Sequence, residues 1–308
     1  MSSKRPRLGA LLSASGALLA CLLAARNGAA QACCAGSGVV TPGRLAMADW
    51  LLVGAQVHAR RALGNFNDDG RFAAPPAQTE DVELGQDVFS TVRVLRRGQV
   101  SLLVPLLETY RKVPVQSETG GGLGDINLGL RWDFHDAGDS AVPGIAVLGG
   151  VTFPTGTAPE SATKPLATDA TGVGAFQGTL GLALEQIWGP WLVSASGRVA
   201  KRLPKSTLGI DSELGAQWTT LGSGAYVFKS GAALAAFVSY TWEGSATVNG
   251  VEAPASARCG GLLGISGMLP IAESWRLQSS ITSALPVSGL GRNEPALSSL
   301  TIGVIKSW

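Results

Sequence analysis

The chain has 308 residues, of which 41 are glycine and 15% are charged, with a mean hydropathy of +0.23. Outside its N-terminus it holds no apolar run of the ~20 residues a membrane-spanning helix needs, which argues against a helical membrane protein. The formal charge is only +2, so the chain carries no basic footprint for nucleic acid.

Residues 1–32 read as a secretory leader. Lys4, Arg5 and Arg7 form a basic start, Leu8–Ala25 is largely apolar, and Ala30-Gln31-Ala32 offers small residues for cleavage. Its removal takes away four basic residues and no acid, so the formal charge falls to −2. Leu18-Leu19-Ala20-Cys21 also fits a lipoprotein cleavage site, but Leu22, Leu23 and Ala24 prolong the apolar run beyond the cysteine. Cleavage after Ala32 is the preferred reading. The exported chain then keeps Cys33, Cys34 and Cys259, an odd set. Adjacent cysteines bridge each other poorly, and a bond from one of them to Cys259 in an oxidising periplasm stays open. With His58 and His135 the sole histidines, neither a metal site nor a cofactor is expected. Residues 33–49 read as a periplasmic N-terminal segment, a short plug or tether.

From residue 50 to residue 308 the pattern has period two. Leu51, Val53, Ala55, Val57 and Ala59 share one face, with Gly54, Gln56, His58 and Arg60 on the other and Trp50 at the start. Asn65–Gln78 is a loop spaced like the opening of a calcium loop, but Pro76 stands where the bidentate glutamate would be required. The next strand, Val82–Val94, turns Glu83, Asp87, Thr91 and Arg93 inward. Gln99–Arg111 is two-sided: Leu103 and Leu107 oppose the outward apolar set, and Pro105 requires a bulge or a rim position. Something packed inside a barrel would account for that. Gly120, Gly121, Gly122 and Gly124 read as a turn, followed by inward Asp125, Asn127, Gly129 and Arg131 and outward Ile126, Leu128, Leu130 and Trp132. A phosphate loop needs a helix after the glycines, and this segment alternates instead.

It is here that a family resemblance appears. Gly122-Leu123-Gly124-Asp125-Ile126-Asn127-Leu128-Gly129-Leu130-Arg131-Trp132, with Phe153-Pro154-Thr155-Gly156 further on, resembles the recurring motifs of outer-membrane barrels assigned to transport in phenol meta-cleavage pathways, relatives of hydrocarbon and fatty-acid channels. The resemblance implies a barrel that passes small hydrophobic or aromatic compounds. Its motifs mark a strand entry and a strand exit, so they speak to fold and say little of substrate.

Thr157–Gly174 reads as a long outer loop, and Trp188-Gly189-Pro190-Trp191 as a tight periplasmic turn between aromatics. Gln177 and Glu185 face inward before it, Ser194, Ser196 and Arg198 after it. Lys201–Leu214 is the next outer loop; Gln217–Phe228, Ala233–Trp242, Cys259–Met268 and Trp275–Leu285 continue the series, joined by turns at Lys229-Ser230-Gly231, Asn249-Gly250 and Pro270–Ser274. In the Trp275 strand, Arg276, Gln278, Ser280 and Thr282 make a polar face. The last strand, Leu297–Trp308, ends on an aromatic ring in the manner of an outer-membrane assembly signal, although Lys306 sits where a second apolar residue is usual.

The expected fold is all-β: a transmembrane antiparallel up-and-down barrel of about twelve strands. A soluble β-sandwich would show the same period, but its second face would be rich in Lys and Glu rather than Gly, Ser, Thr and Gln. The chain is therefore expected in the bacterial outer membrane, in contact with its lipids and the barrel-assembly machinery. The expected function is passive passage of a small hydrophobic or aromatic solute, with Glu83, Asp87, Arg93, Asp125, Arg131, Gln177, Glu185, Arg198, Arg276 and Gln278 lining the lumen and Trp308 as assembly signal. A non-transporting scaffold barrel is the alternative. A barrel lipid hydrolase is a lesser one, requiring a hydroxyl and an acid beside His58. No Gly-x-Ser-x-Gly, His-Glu-x-x-His or Cys-x-x-Cys is present, so no catalytic residue is assigned.

Overall fold

The computed structural model describes residues 44–45, 49–137, 142–207 and 210–308. The leader, Cys21, Cys33, Cys34 and most of the 33–49 segment lie outside them. Twelve wall strands follow in chain order: β1 (Leu51–Phe66), β2 (Glu80–Leu95), β3 (Gly98–Val113), β4 (Ile126–His135), β5 (Gly144–Phe153), β6 (Gln177–Trp188), β7 (Trp191–Arg202), β8 (Gln217–Val227), β9 (Ala233–Glu243), β10 (Arg258–Pro270), β11 (Trp275–Ala284) and β12 (Glu294–Ser307). Each pairs antiparallel with its sequence neighbour. The ladder of β1 with β12 closes the ring. Closure leaves no strand edge, the condition for a sheet to sit in hydrocarbon.

Tryptophan settles which face meets lipid. All eight tryptophans are exposed, between 39% and 59%, and all lie at strand ends or beside them. Trp50, Trp132, Trp188, Trp191, Trp275 and Trp308 ring the end that carries the short turns; Trp218 and Trp242, paired across β8 and β9, mark the other. A soluble sandwich would bury such rings, whereas a membrane girdle displays them. The end with the short turns, where Asp49, Trp50 and Trp308 also lie, is periplasmic, and the long connections are extracellular. Between the girdles the outward positions are apolar, including Val57, Val88, Leu180, Ile265 and Ile281.

Two places depart from the sequence reading. The glycine run is not a turn: Gln116–Leu123 is a strand that extends β4 outward and pairs with Leu106–Val113 of β3. The turn lies at Pro114-Val115. The glycines serve close approach, since a Cβ on Gly121 would stand 2.2 Å from the Leu107 carbonyl oxygen and one on Gly120 would strike Thr168 of the long outer loop. Pro105 explains the gap between this extension and β4. It sits within β3 opposite Asp87 of β2, and on its other side its carbonyl accepts from Gly124 N at 2.8 Å. A proline has no N–H to return, so the ladder breaks there and resumes at Leu103 with Asn127.

Lys306 also has a physical account. Its ammonium lies 4.5 Å from the Trp308 ring centroid and 5.3 Å from that of Trp275, a cation held between girdle rings. Trp308 is fixed by backbone: its N–H donates to Leu51 O at 2.9 Å and its carbonyl accepts from Trp50 N at 2.7 Å. The outer hairpins at Lys205–Thr207, Ile210–Glu213, Thr247–Val248 and Val251–Glu252 form a small separate sheet above the wall. Its Asn249-Gly250 turn has positive φ at both residues, as read from sequence.

Replacing Ile281, 61% exposed at mid-strand, by Arg should destabilise the inserted barrel by about 2–4 kcal/mol in urea unfolding from vesicles, while Thr282→Ser on the inner face should leave it near wild type. Trp308→Ala should reduce the yield of heat-modifiable barrel well below that of Lys306→Ala, whose exposed cation–π contact is worth about 0.5–1 kcal/mol.

Candidate functional site: the barrel lumen

The inward parity of the wall does not fill the interior evenly. On the side of β1, β2, β11 and β12 it is packed. Inward aromatics lie over glycines of the adjacent strand: Phe89 of β2 over Gly54 of β1, and His58 of β1 over Gly85 of β2, where an added Cβ would stand 2.4 and 2.1 Å from the ring. Polar groups join there. Gln56 donates to Asp87 at 2.8 Å and accepts from Gln278 at 3.0 Å; His58 stands 3.3 Å from Asp87 and 3.5 Å from Glu83, which also pairs with Arg60 at 3.1 Å. The partners that the structure gives His58 are carboxylates, where a hydrolase would require a hydroxyl.

At the periplasmic end of the same side an apolar cluster forms from Leu52, Phe89 and Ile305, with Leu103 against it. Its fourth member is Leu45, only 2% exposed, from the N-terminal segment. Leu45 N donates to Gln99 Oε1 at 3.2 Å, and Gln99 Nε2 donates to Asp133 at 3.3 Å. Beside it Arg44 pairs with Glu185 and lies 3.6 Å from Asp133. Arg131 donates to Asp133 at 2.8 Å and to Glu185 at 3.0 Å. Thus two guanidiniums and two carboxylates, drawn from three separate stretches of chain, bind residues 44–45 to the inside of the wall. This accounts for the two-sided β3: Leu103 has an apolar neighbour within the barrel.

On the side of β3 to β8 the lumen is open. A cavity of about 370 Å³ lies there, walled by Ser101, Asn127, Gly149, Gly150, Thr179, Ser194, Ser196 and Thr219 among others, with Arg44 as part of its boundary. Of the ten residues predicted to face the lumen, Arg131, Gln177, Glu185 and Arg198 line this cavity. Glu83, Asp87 and Gln278 belong to the packed side. Arg93 and Arg276 hold the periplasmic rim: Arg93 donates to Asp49 O at 3.0 Å and Arg276 lies 3.5 Å from the Asp49 carboxylate. Asp125 stands beyond the ladder break and accepts from Gly156 N at 3.0 Å and Val173 N at 2.7 Å, clasping the long outer loop at both ends. Sequence reasoning missed Gln99 and Arg44. Gln99 had a legible signal in sharing its parity with Leu103; Arg44 had none beyond lying in a segment read as plug or tether.

Toward the outer mouth a second ionic group crosses the wall. Arg202 and Arg258 both donate to Glu243, at 2.9 and 3.0 Å; Gln217 donates to it at 3.1 Å, and Arg202 also donates to Gln177 at 3.0 Å. The long loop is internally tied as well. Asp169 accepts from Thr163 N and Oγ1 at 2.8 and 2.7 Å and from Lys164 N at 3.3 Å, and these donors hold its carboxyl down at about 2. Lys205 of the outer sheet pairs with Glu160 in that loop, which lowers the Glu160 carboxyl. Asn67 does the same work in the first outer turn, accepting from Asp69 N and Arg71 N, so the calcium-like spacing there is turn chemistry. Among the described residues no three His, Cys, Asp or Glu side chains are arranged to hold a metal ion.

A closed twelve-stranded antiparallel wall with a tryptophan-bordered apolar exterior and a polar interior is that of a bacterial outer-membrane β-barrel. The chain belongs to the family described as "Putative MetA-pathway of phenol degradation", which matches residues 65–278. Among solved structures it is similar to the COG4313 outer membrane channel from Pseudomonas putida F1, with 13% identity over 85% of this chain and 97% of that one and a TM-score of 0.68. Looser likenesses are the KdgM porin in complex with disordered oligogalacturonate (7% identity, 82% and 99% coverage, TM-score 0.45) and the NanC porin (8%, 83% and 100%, 0.46). No curated protein matches the chain.

A carboxyl held below its ordinary 3.8 supports the loop above that value and loses its contribution as pH falls toward 2. Asp169→Ala should therefore lower amide protection across residues 159–171 at pH 7, measured against the unstructured chain at the same pH, and the wild-type loop should lose that protection only as the pH falls toward 2. Gly54→Val should cut the folded yield sharply, because its Cβ would stand 2.4 Å from the Phe89 ring, while Gly178→Ala, with open space around it, should not.

Proposed function

We propose that this barrel is a passive outer-membrane channel for small hydrophobic or aromatic solutes, held closed from the periplasmic side by Arg44 and Leu45, and inserted by the barrel-assembly machinery through its closing strand. The observation that carries the reading is the cavity bounded by Arg44: room for a small ligand inside the wall, with a separable piece of chain at its border. The size suits a ligand-sized passage rather than a wide aqueous pore. Small polar side chains let a solute slide without tight capture, and Leu103, Leu148 and Leu221 give it apolar contact. The family description points to phenol degradation, which fits an aromatic cargo.

The latch has a magnitude that permits opening. Burying one leucine side chain contributes about 1.5–3 kcal/mol, equivalent to roughly a ten- to hundredfold bias toward the closed form. The Arg44 pairs add to this but remain exchangeable for water once the segment moves. A second reading, a scaffold barrel without transport, is favoured by the filled side of the lumen.

The two separate in planar-bilayer recordings of the mature chain and of Arg44→Ala/Leu45→Ala. A channel should show discrete openings that phenol reduces, with several-fold greater open time or conductance in the double variant. If both proteins are silent while still heat-modifiable and β-rich, the scaffold reading replaces the channel.

A further inference from the structure

Of the buried side-chain atoms that lack a hydrogen-bond partner among the described residues, one belongs to a residue lining the cavity: the hydroxyl of Thr91, a side chain 3% exposed. An unpartnered hydroxyl out of water is costly, and a valine of the same shape would avoid that cost. A threonine in this place calls for a partner of its own.

The wall register shows what covers it. Thr91 on β2 stands between Leu52 of β1 and Ser101 of β3. The inward positions diagonal to it on β3 are Gln99 and Leu103, paired with Arg93 and Phe89. Leu52, Phe89 and Ile305 form the apolar cluster that receives Leu45, with Leu103 against it, and Gln99 Oε1 accepts from Leu45 N at 3.2 Å. Leu45 is thus fastened on several sides of Thr91 and closes over it. Beneath the latch lies a socket with apolar walls and two polar groups, the Gln99 carbonyl and the Thr91 hydroxyl. The latch backbone satisfies the first and leaves the second unpaired. Apolar lining with a few convergent polar groups is the composition of a small-molecule site. Thr91, Gln99, Ser101 and Leu103 also line the cavity, so a solute there is already beside the socket.

We infer that the Leu45 socket is a binding site for neutral solutes with an apolar body and one hydroxyl, which enter it in place of Leu45. The solute hydroxyl donates to Gln99 Oε1, replacing the Leu45 N–H, and accepts from Thr91 Oγ1, giving it the partner that the closed form withholds. Diagonal inward neighbours on adjacent strands stand about 7–8 Å apart, a span that one hydroxyl bridges with a bond to each side chain. The apolar body takes over the contacts of the Leu45 side chain. Leucine competes for the apolar walls but cannot satisfy Thr91, so a hydroxyl-bearing solute has an advantage over the latch that a plain hydrocarbon lacks. While it sits in the socket it also narrows the path, so it lowers the current even as it frees the latch. The inference rests on the reading of this lumen as a passage latched by Arg44 and Leu45, and makes the cargo the agent that releases the latch.

The test uses phenol and toluene, which differ by a hydroxyl for a methyl. In calorimetric titration of the detergent-folded mature chain, phenol should bind about tenfold more tightly than toluene, the worth of one satisfied buried hydroxyl. Thr91→Val should abolish that difference, Thr91→Ser should keep most of it, and Leu45→Ala should tighten both ligands by removing their competitor. Saturating phenol should also strip the Leu45 amide of its exchange protection, because its acceptor has been taken, while toluene at the same concentration should leave it protected. Heat-modifiability of each variant verifies that the barrel has formed. Equal binding of the two probes, a phenol preference that survives Thr91→Val, or phenol binding with the Leu45 amide still protected would each overturn the socket. Planar-bilayer recordings separate this from the passage itself. A conducting barrel without phenol preference loses the socket and keeps the passage, whereas a silent barrel in which phenol still frees the Leu45 amide keeps the socket and loses the passage.

Discussion

Everything in this protein depends on one constraint: in hydrocarbon no backbone N–H or C=O can be left without a partner. The ladder of β1 with β12 satisfies it by turning a sheet into a ring, and the terminal hydrogen bonds of Trp308 with Trp50 and Leu51 complete the seam. Because the ring is closed, side chains can only point to lipid or to the lumen, and period two becomes a map of both. Between β3 and β4 the ladder breaks where proline makes pairing impossible. There Pro105 and Gly124 share one bond, and the strand entering from outside is re-aimed before β4 begins.

The same closure turns the interior into a packing problem. A twelve-stranded ring is too wide to be filled by aliphatic side chains alone and too narrow to be left empty at no cost. One half is filled by aromatic rings laid over glycines and by a hydrogen-bonded chain from Gln278 through Gln56 to Asp87. The frequency of glycine in the sequence is in part a consequence of that device, since each ring needs a neighbour without a Cβ. The other half is lined by Ser, Thr, Asn and Gly, which do not reach across, and there the cavity remains.

Strand number, faces, the alternation of long and short connections and the girdles were legible in the sequence, because each is a one-dimensional signal: parity, turn chemistry or the position of tryptophan. The grouping of lumen residues was not. Parity sent ten polar side chains inward without stating at what height or around which arc. Asp125 and Arg131 share a face of one continuous stretch, yet a ladder break separates them, and one clasps a loop while the other lines the cavity. Glu83 and Glu185 look alike in sequence, but one meets His58 and Arg60 on the packed side and the other meets Arg44 and Arg131 at the open one. Register between strands decides such matters, and it is set jointly by all twelve. The glycine run misled for a related reason: glycine marks turns and close approaches equally, and only the neighbouring strand shows which is meant.

The placement of charge follows from the same geometry. Ionised groups inside a barrel are costly unless paired, and most of those seen here are paired across strands rather than along one. Glu243 draws together β7, β9 and β10, while Asp133 and Glu185 draw together β4, β6 and the N-terminal segment. Cross-strand pairs of this kind stiffen the ring against shear, and they tie the lumen boundary to the state of the wall. Each carboxylate beside Arg44 has a further donor: Arg131 donates to both, and Gln99 donates to Asp133 as well. A buried carboxylate with more than one donor keeps a partner when one of them is lost, which is the arrangement that the cost of an unpaired charge requires.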